Sequence, residues 1–255
     1  MASGGELSHL ILFIMQLTIY TQNCSWWPVT NRKRYFKMIG DFIEQTNPDI
    51  VFLQEVFYRR WVRWFQLEGY ATIFKTKKLF LHGGLVVLVK KNVTVEARYI
   101  GKFQSQFGWR PGQFMSSLLV RRGFIHVYLP DFDLHLVNAH LTAGFSRTHK
   151  YNPVRFMQVK QLKDYILSLG KCVFGGDLNF HENTPEHEML QLFCTDITAG
   201  VGNTFPGEKG RYDYIFSANL PNIISTPLLV PWFEQPRFLR SRPIDHHGII
   251  VKVEV

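Results

Sequence analysis

Along this chain, one apolar run after another stops at a carboxylate, an amide or an imidazole. Asn23 closes Leu17–Asn23, Glu55 follows Ile50-Val51-Phe52-Leu53-Gln54, and His140 stands in Val137-Asn138-Ala139-His140-Leu141. Asp177 and Asn179 share Gly176-Asp177-Leu178-Asn179, Asp213 sits in Tyr212-Asp213-Tyr214-Ile215, and Asp245 directly precedes His246. Carboxylate and carbonyl oxygens are the ligands that hard divalent cations prefer. An imidazole beside a carboxylate has its protonated form favoured, near the pH at which proton transfer from water is useful. That combination suits hydrolysis of a phosphate ester. There an anionic nucleophile approaches an anion, so a cation and neutral donors must offset the developing charge.

Each residue alone has a plainer explanation. Glu55 after an apolar run reads as the start of a solvated turn, and His140 as a satisfied core histidine. Gly176-Asp177-Leu178-Asn179 is turn chemistry, because Gly, Asp and Asn favour turns for backbone reasons. Asp245 next to His246 reads as surface polarity. The order and context of the whole set outweigh these readings, since strand ends on one rim make a natural cleft.

The elements that would position the set can be traced from periodicity. Leu17–Asn23 alternates apolar and polar like a strand. Phe36, Ile39, Phe42 and Ile43 recur at helical spacing between Asn31 and Thr46, and Asn47-Pro48 stops that helix. After the buried strand Ile50–Leu53, a second helix is predicted over Tyr58–Leu67. The next stretch is β-rich: Ala71–Phe74, Leu85–Lys90, Val93–Ile100, Phe114–Arg121, Phe124–Leu129 and Leu134–Leu141, with glycines and prolines between. A helix over Pro153–Leu169 precedes the strand Cys172–Phe174. Another helix over Thr184–Phe193 precedes strands at Tyr212–Phe216, Ile223–Leu229 and His247–Val253. Strands with few helices predict an α/β (α+β) chain of two packed sheets with helices outside. With no repeat and no Ser/Gly-rich linker, residues 1–255 are expected to form one domain.

Lys plus Arg number 29 against 20 acidic residues, a net charge of +9. That balance favours an anionic partner without choosing among nucleic acid, a membrane surface and a small phosphorylated molecule. The three cysteines, Cys24, Cys172 and Cys194, fit no zinc spacing and cannot all pair within one chain, so a reducing, cytoplasmic setting is expected. Leu10–Ile19 is apolar but shorter than the ~20 residues of a membrane span, and lacks the basic and small-residue flanks of a signal peptide.

Taken in order, Gln54-Glu55, Asn138-Ala139-His140-Leu141, Gly176-Asp177-Leu178-Asn179, Tyr212-Asp213-Tyr214-Ile215 and Asp245-His246 resemble the signature blocks of the endonuclease/exonuclease/phosphatase superfamily. Thr21-Gln22-Asn23 takes the place of its first-strand Asn. The resemblance runs from about Leu17 to Val253 and implies a four-layer α/β sandwich. It implies Glu55 as ligand of a divalent cation, Mg²⁺ or alternatively Mn²⁺, with Asn23 helping to hold metal or phosphate. Asp245 would serve a metal position or orient its neighbour. His246 is implied as general base, oriented by Asp213. Asp177 would position the nucleophile or handle the leaving-group proton, and Asn179 and His140 would donate hydrogen bonds to the phosphate. Two places depart from the pattern: Ile244 stands where Ser usually precedes Asp-His, and Gln22 where an aromatic is common. A second imidazole, His247, follows His246; strand alternation favours His246 as the one facing the site.

The expected substrate is an anionic phosphodiester, either a membrane lipid or a nucleic acid. His140-Leu141-Thr142-Ala143, Arg155 with Gln158, and Gly202-Asn203-Thr204 resemble blocks of the neutral sphingomyelinase branch. The segment Pro227–Phe233 is apolar, and Trp232 with Phe233 could reach into a bilayer beside Arg237, Arg240 and Arg242. The plainer reading packs both rings in the core. For a nuclease, Arg59, Arg60 and Arg63 alternate with Trp61 and Trp64, ahead of Lys75, Lys77 and Lys78. Aromatics so spaced on a helix are more often core, with Arg reaching outward. A phosphatase of phosphoinositides or nucleotides is a third reading, and a non-catalytic anion-binding module a fourth. Alanine at Glu55 or His246 separates enzyme from module.

Overall fold

The computed structural model describes residues 16–24, 32–65, 67–73, 84–104, 122–143, 152–205, 210–220, 223–231 and 245–254. The strand expected over Phe114–Arg121 and the Trp232-Phe233 segment lie outside these residues. The chain runs β1 (Gln16–Asn23), α1 (Arg32–Thr46), β2 (Ile50–Gln54), α2 (Arg59–Val62), β3 (Tyr70–Ile73), β4 (Val86–Lys90) and β5 (Ala97–Lys102). It continues β6 (Gly123–Leu129), β7 (Leu134–His140), α3 (Pro153–Leu167), β8 (Cys172–Asp177), α4 (Pro185–Gln191), β9 (Thr195–Asp196), β10 (Asp213–Ala218), β11 (Ile224–Val230) and β12 (Gly248–Glu254).

The strands form two six-stranded sheets, ordered β11-β12-β1-β2-β4-β3 and β5-β6-β7-β8-β10-β9. Strand alternation sends every second side chain to the opposite face. Leu17, Ile19, Phe52 and Val87 of the first sheet therefore meet Ile125, Val127, Leu136 and Val173 of the second. The alternate residues Tyr20, Val51, Leu53 and Val86 face outward onto Phe36, Ile39 and Ile43 of α1. On the far side Val137, Ala139 and Phe174 pack against Val159, Leu162 and Ile166 of α3. This is the four-layer α/β sandwich the sequence implied. Among the described residues no helix is long and apolar enough to cross a membrane.

Helix starts follow cap chemistry. The Asn152 side chain accepts from the Val154 and Arg155 amides ahead of Pro153, and Thr184 accepts from His187 ahead of Pro185; such a cap contributes about 1 kcal/mol. The helix expected over Tyr58–Leu67 is a single turn instead. Beyond Val62 the amides of Trp64 and Phe65 bond to Trp61 and Val62, three residues back. That tighter turn sets the Phe65 carbonyl so close to Gly40 of α1 that a Cβ there would overlap it. The strand expected over Val93–Ile100 forms later, as β5, because Val93 closes a turn onto the Lys90 carbonyl.

Register places the polar residues. The parallel pair β1–β2 sets Asn23 beside Gln54, and the parallel pair β7–β8 sets His140 beside Asp177. The antiparallel β10 sets Asp213 on the other side of Asp177. The sequence reading had Asn23, Glu55, His140, Asp177 with Asn179 and Asp245-His246 at strand ends, and Asp213 within the strand Tyr212–Phe216. In fact Asp213 opens β10, and His246 precedes β12, which runs antiparallel to β1. Antiparallel strands bring their beginnings to the rim where parallel partners bring their ends.

Candidate active site

At the centre of that rim is the Asp177 carboxylate. Its Oδ2 accepts from Asn23 Nδ2 at 2.8 Å and lies 3.3 Å from His140 Nε2 and 4.0 Å from His246 Nε2. Its Oδ1 accepts from the Asn179 amide at 3.0 Å. The other ring nitrogen of His246, Nδ1, meets Asp213 Oδ2 at 2.8 Å. Ionised carboxylates accept and do not donate, so this bond places a proton on Nδ1 and leaves Nε2 facing Asp177.

These groups are buried, which makes their charges matter. Burial alone disfavours the His246 imidazolium. The charges of Asp213 and Asp177, the hydrogen bond to Asp213 and the charge of Asp245 outweigh it and raise the imidazole to about 10. Burial likewise opposes ionisation of Asp177, yet His246, His140 and Arg122 hold its carboxyl well below the usual carboxylate range. For Asp213, burial wins and pushes the carboxyl up despite His246. These carboxylates thus hold the proton on the imidazole.

Glu55 follows β2 with a left-handed backbone, φ 61°, a conformation that costs a non-glycine residue about 1–2 kcal/mol. The bond from the Val56 amide to the Gly84 carbonyl, 2.8 Å, stabilises that turn. Glu55 Oε1 lies 3.9 Å from His140 Nε2. Asn179 is also left-handed, φ 56°, and its side-chain amide donates to the Leu141 carbonyl at 3.1 Å. So it is held by the chain in a position where the sequence reading had it donating to phosphate.

Both histidines at 246–247 are buried and precede β12, so strand alternation does not choose between them. Thr204 does: its carbonyl accepts from the His247 amide at 2.7 Å, and its Oγ1 accepts from the Tyr212 and Asp213 amides at 3.0 and 3.2 Å. One threonine thereby fixes both partners of the His246–Asp213 pair. Gln22, the departure noted above, donates to the His246 carbonyl at 3.2 Å. Arg155 bonds Glu186 and the Asn179 carbonyl, and Gln158 grips Thr142 through both backbone and hydroxyl. Those two residues support the rim from behind.

Other contributors carried little sequence signal. Asn138 reaches across the sandwich to the Leu53 and Val86 carbonyls, at 3.1 and 2.9 Å, and accepts from Gln54 at 2.9 Å. An amide within Val137-Asn138-Ala139 could have marked it, because buried polar groups in strands are paired. Arg122, one residue before β6, contacts both ring nitrogens of His140. The sequence reading did not single it out, because nothing local in Arg121-Arg122-Gly123 distinguishes it.

A hard cation fits this donor set. Asp213 Oδ1 and Asp245 Oδ1 are buried acceptors with no hydrogen-bond partner among the described residues. Ligand atoms of Asp177, Asp213 and His246 all lie within 4.8 Å of one another. The resemblance implies Glu55, Asn23 and Asp245 as the metal ligands; Asn23 Nδ2 is turned onto Asp177, and a cation would take the side-chain oxygen of that amide. A carboxylate acceptor left without a donor inside a protein is costly unless a cation or proton compensates it.

A family model described as the Endonuclease/Exonuclease/phosphatase family matches residues 28–232. That span includes Glu55, His140, Asp177, Asn179 and Asp213, and stops short of Asn23 and Asp245-His246. No curated protein matches the sequence. Among solved structures, truncated TDP2 from Caenorhabditis elegans aligns at 20% identity over 94% of this chain and 98% of that one, TM-score 0.68. Beta toxin from Staphylococcus aureus aligns at 18% identity over 92% and 99%, TM-score 0.72. An endonuclease/exonuclease/phosphatase from Bacteroides vulgatus aligns at 16% identity over 94% and 99%, TM-score 0.70.

Proposed function

The chain belongs to the endonuclease/exonuclease/phosphatase family and is a phosphoric ester hydrolase, and from that premise we propose that it is a Mg²⁺-dependent phosphodiesterase whose substrate is a sphingomyelin-like lipid. The observation that carries the reaction is the His246–Asp213 pair with Nε2 of the imidazole turned to Asp177. In this reading residues 1–255 act as one catalytic domain. His246 Nε2 takes a proton from water, and Asp213 fixes the tautomer and balances the imidazolium that results. Asp177, 4.0 Å from that nitrogen, orients the water or handles the leaving-group proton. His140 and Asn23 supply donors at the same carboxylate, and Asn179 lines the rim beside them. Glu55, Asn23 and Asp245 would hold the divalent cation, which when bound screens the carboxylates, favours the neutral imidazole and offsets charge developing on the phosphate.

Support for the lipid comes from the His140–Ala143, Arg155/Gln158 and Gly202–Thr204 blocks and from surface chemistry. Ile224 and Leu228 of the edge strand β11 are 60% and 64% exposed, and that strand runs into Pro231-Trp232-Phe233. Peripheral contact through Trp232 and Phe233 is part of the proposal. The nuclease reading loses its stacking platform: Trp61 is 2% exposed and Trp64 packs against the same core, leaving Arg59 and Arg60 outward. Three free cysteines, Cys24 and Cys172 buried and Cys194 half-buried, support a cytoplasmic setting.

The test is Mg²⁺-dependent hydrolysis of sphingomyelin vesicles, single- and double-stranded DNA, RNA and a phosphoinositide, with His246→Ala as control. Cleavage of sphingomyelin that the variant loses is the expected result. Cleavage confined to DNA or RNA would replace the lipid by a nucleic acid. Folded protein inactive on every substrate with Mg²⁺ and Mn²⁺ would overturn the catalytic reading.

A further inference from the structure

The pairing of β1 with β12 runs from Gln16–Glu254 to Thr21–Ile249. Among the described residues that ladder stops short of His246, which stands two positions before β12. A general base beyond the last ladder bond needs its backbone fixed by other groups. Misplacing a reacting group by about 1 Å can lower the rate by about 10²-fold.

Gln22 of β1 supplies such a group. Its side chain is fully buried, so the amide must find acceptors for its NH₂ and a donor for its oxygen. Nε2 donates to the His246 carbonyl at 3.2 Å and to the Asn23 carbonyl at 2.6 Å, while Oε1 accepts from the Tyr20 hydroxyl at 2.9 Å. Carbonyl oxygens only accept, which fixes the amide in one orientation. The His246 carbonyl and the His247 N–H belong to one peptide unit. Gln22 holds its oxygen from the first sheet, and the Thr204 carbonyl, ahead of β10 of the second sheet, holds its N–H at 2.7 Å. A planar peptide gripped at both polar atoms leaves little freedom to ψ of His246 or φ of His247. The same amide steadies the backbone of Asn23, whose side chain donates to Asp177 Oδ2, the atom that His246 Nε2 faces. Gly248 leaves the room: a Cβ there would come within 2.6 Å of Gln22 Oε1 and 2.7 Å of the Tyr20 hydroxyl. The aromatic residue common at this position in the family has no amide to span two carbonyls.

We propose that Gln22 is a positioning residue of this site, acting through the His246–His247 peptide to hold the imidazole between Asp213 and Asp177. Its effect on rate rests on the phosphodiesterase reading above; its effect on the imidazole rests on the hydrogen bonds alone. A side chain that served packing only would alter stability and leave both unchanged.

The experiment compares wild type with Gln22→Met, which keeps the length and removes the donors, with Gly248→Ala, which displaces the amide without removing it, and with Tyr20→Phe, which removes the donor to Oε1. Bis(p-nitrophenyl) phosphate turnover is measured with Mg²⁺, and unfolding is followed by circular dichroism. The His246 Nδ1 proton bonded to Asp213 is observed by NMR and assigned with His246→Ala. The expected result in Gln22→Met and Gly248→Ala is a kcat about tenfold lower, the size of one bond to a buried carbonyl. KM should stay within about twofold, because Gln22 does not touch the substrate. The Nδ1 proton signal should shift or broaden in both variants, and Tyr20→Phe should lose about threefold in kcat. If Gln22→Met does not fold, Gly248→Ala and Tyr20→Phe carry the comparison. Folded Gln22→Met with wild-type kcat and a wild-type Nδ1 signal would overturn the proposal, as would a loss confined to KM. Wild type that turns over no diester would overturn the catalytic reading, and an altered Nδ1 signal in Gln22→Met would then still sustain the clamp.

Discussion

Replacing Asp213 by Asn tests the catalytic core with the least change of shape. The Asp213 carboxylate lies 2.8 Å from His246 Nδ1 and is buried, so its charge acts on the imidazole almost unscreened. An amide of the same size removes that charge. A hydrogen bond to a charged group contributes about 1.5–3 kcal/mol, and losing that much transition-state stabilisation lowers the rate by about 10- to 150-fold. If the amide turns its NH₂ toward Nδ1, the ring proton moves to Nε2, the atom facing Asp177. The base then has no lone pair for water, and the whole general-base contribution of about 10²–10⁴-fold is at stake. The expected outcome is therefore a kcat for bis(p-nitrophenyl) phosphate reduced by about 10²–10⁴, with KM little changed. Denaturant unfolding should show the fold intact, since the amide keeps the size and shape of the carboxylate. A folded Asp213→Asn protein with kcat within about threefold of wild type would refute the role of this pair in proton transfer.

Three further substitutions probe the frame around that pair. Gly176→Ala introduces a Cβ that overlaps the Ala139 carbonyl oxygen and comes within 2.9 Å of Asn138 Oδ1 and Gln54 Nε2, at φ 125°; strain and overpacking together should cost about 3–5 kcal/mol in urea unfolding, and an unchanged midpoint would contradict this. Thr204→Val removes the hydroxyl that the Tyr212 and Asp213 amides bond. It should lower kcat about tenfold or more and leave KM near wild type, with Thr204→Ser recovering most of the loss; equal loss in the serine variant would argue for packing instead. His126 is buried between His135 and Tyr165, at 2.8 Å from each. Burial first, then the charge of His135, lowers its imidazole to about 4. The folded protein therefore keeps His126 neutral while the unfolded chain takes up a proton near its ordinary value of ~6.5. The stabilisation is present above pH ~6.5 and is lost as pH falls toward 4, by about 2 kcal/mol once solvent screening is allowed for. Unfolding free energies at pH 7 and 4.5, in wild type and His126→Asn, measure it; an equal acid loss in the variant would assign it to other groups.

Much of this protein is set locally and is legible in the chain. Alternating runs such as Leu17–Asn23 and Leu134–His140 form strands because each buries one face against the opposite sheet. Asn152-Pro153 and Thr184-Pro185 start helices because they satisfy amides that the first turn leaves open. The type and order of Glu55, His140, Asp177, Asn179, Asp213, Asp245 and His246 also needed no coordinates, since each residue stands beside an apolar run. What the chain alone did not decide is which groups meet. Strand direction carried Asp213 and His246 to the rim from strand beginnings, and direction depends on pairing with distant strands. Thr204 decided which imidazole faces Asp177 by a backbone bond to His247 across 43 positions of chain. Arg122 gained its place beside His140 only through the β6–β7 register. Such contacts join residues whose neighbours in sequence are unremarkable in type, so local pattern holds no record of them. The physical reason is that periodicity encodes which face is buried, whereas register and strand direction are fixed by the summed packing of the whole sandwich.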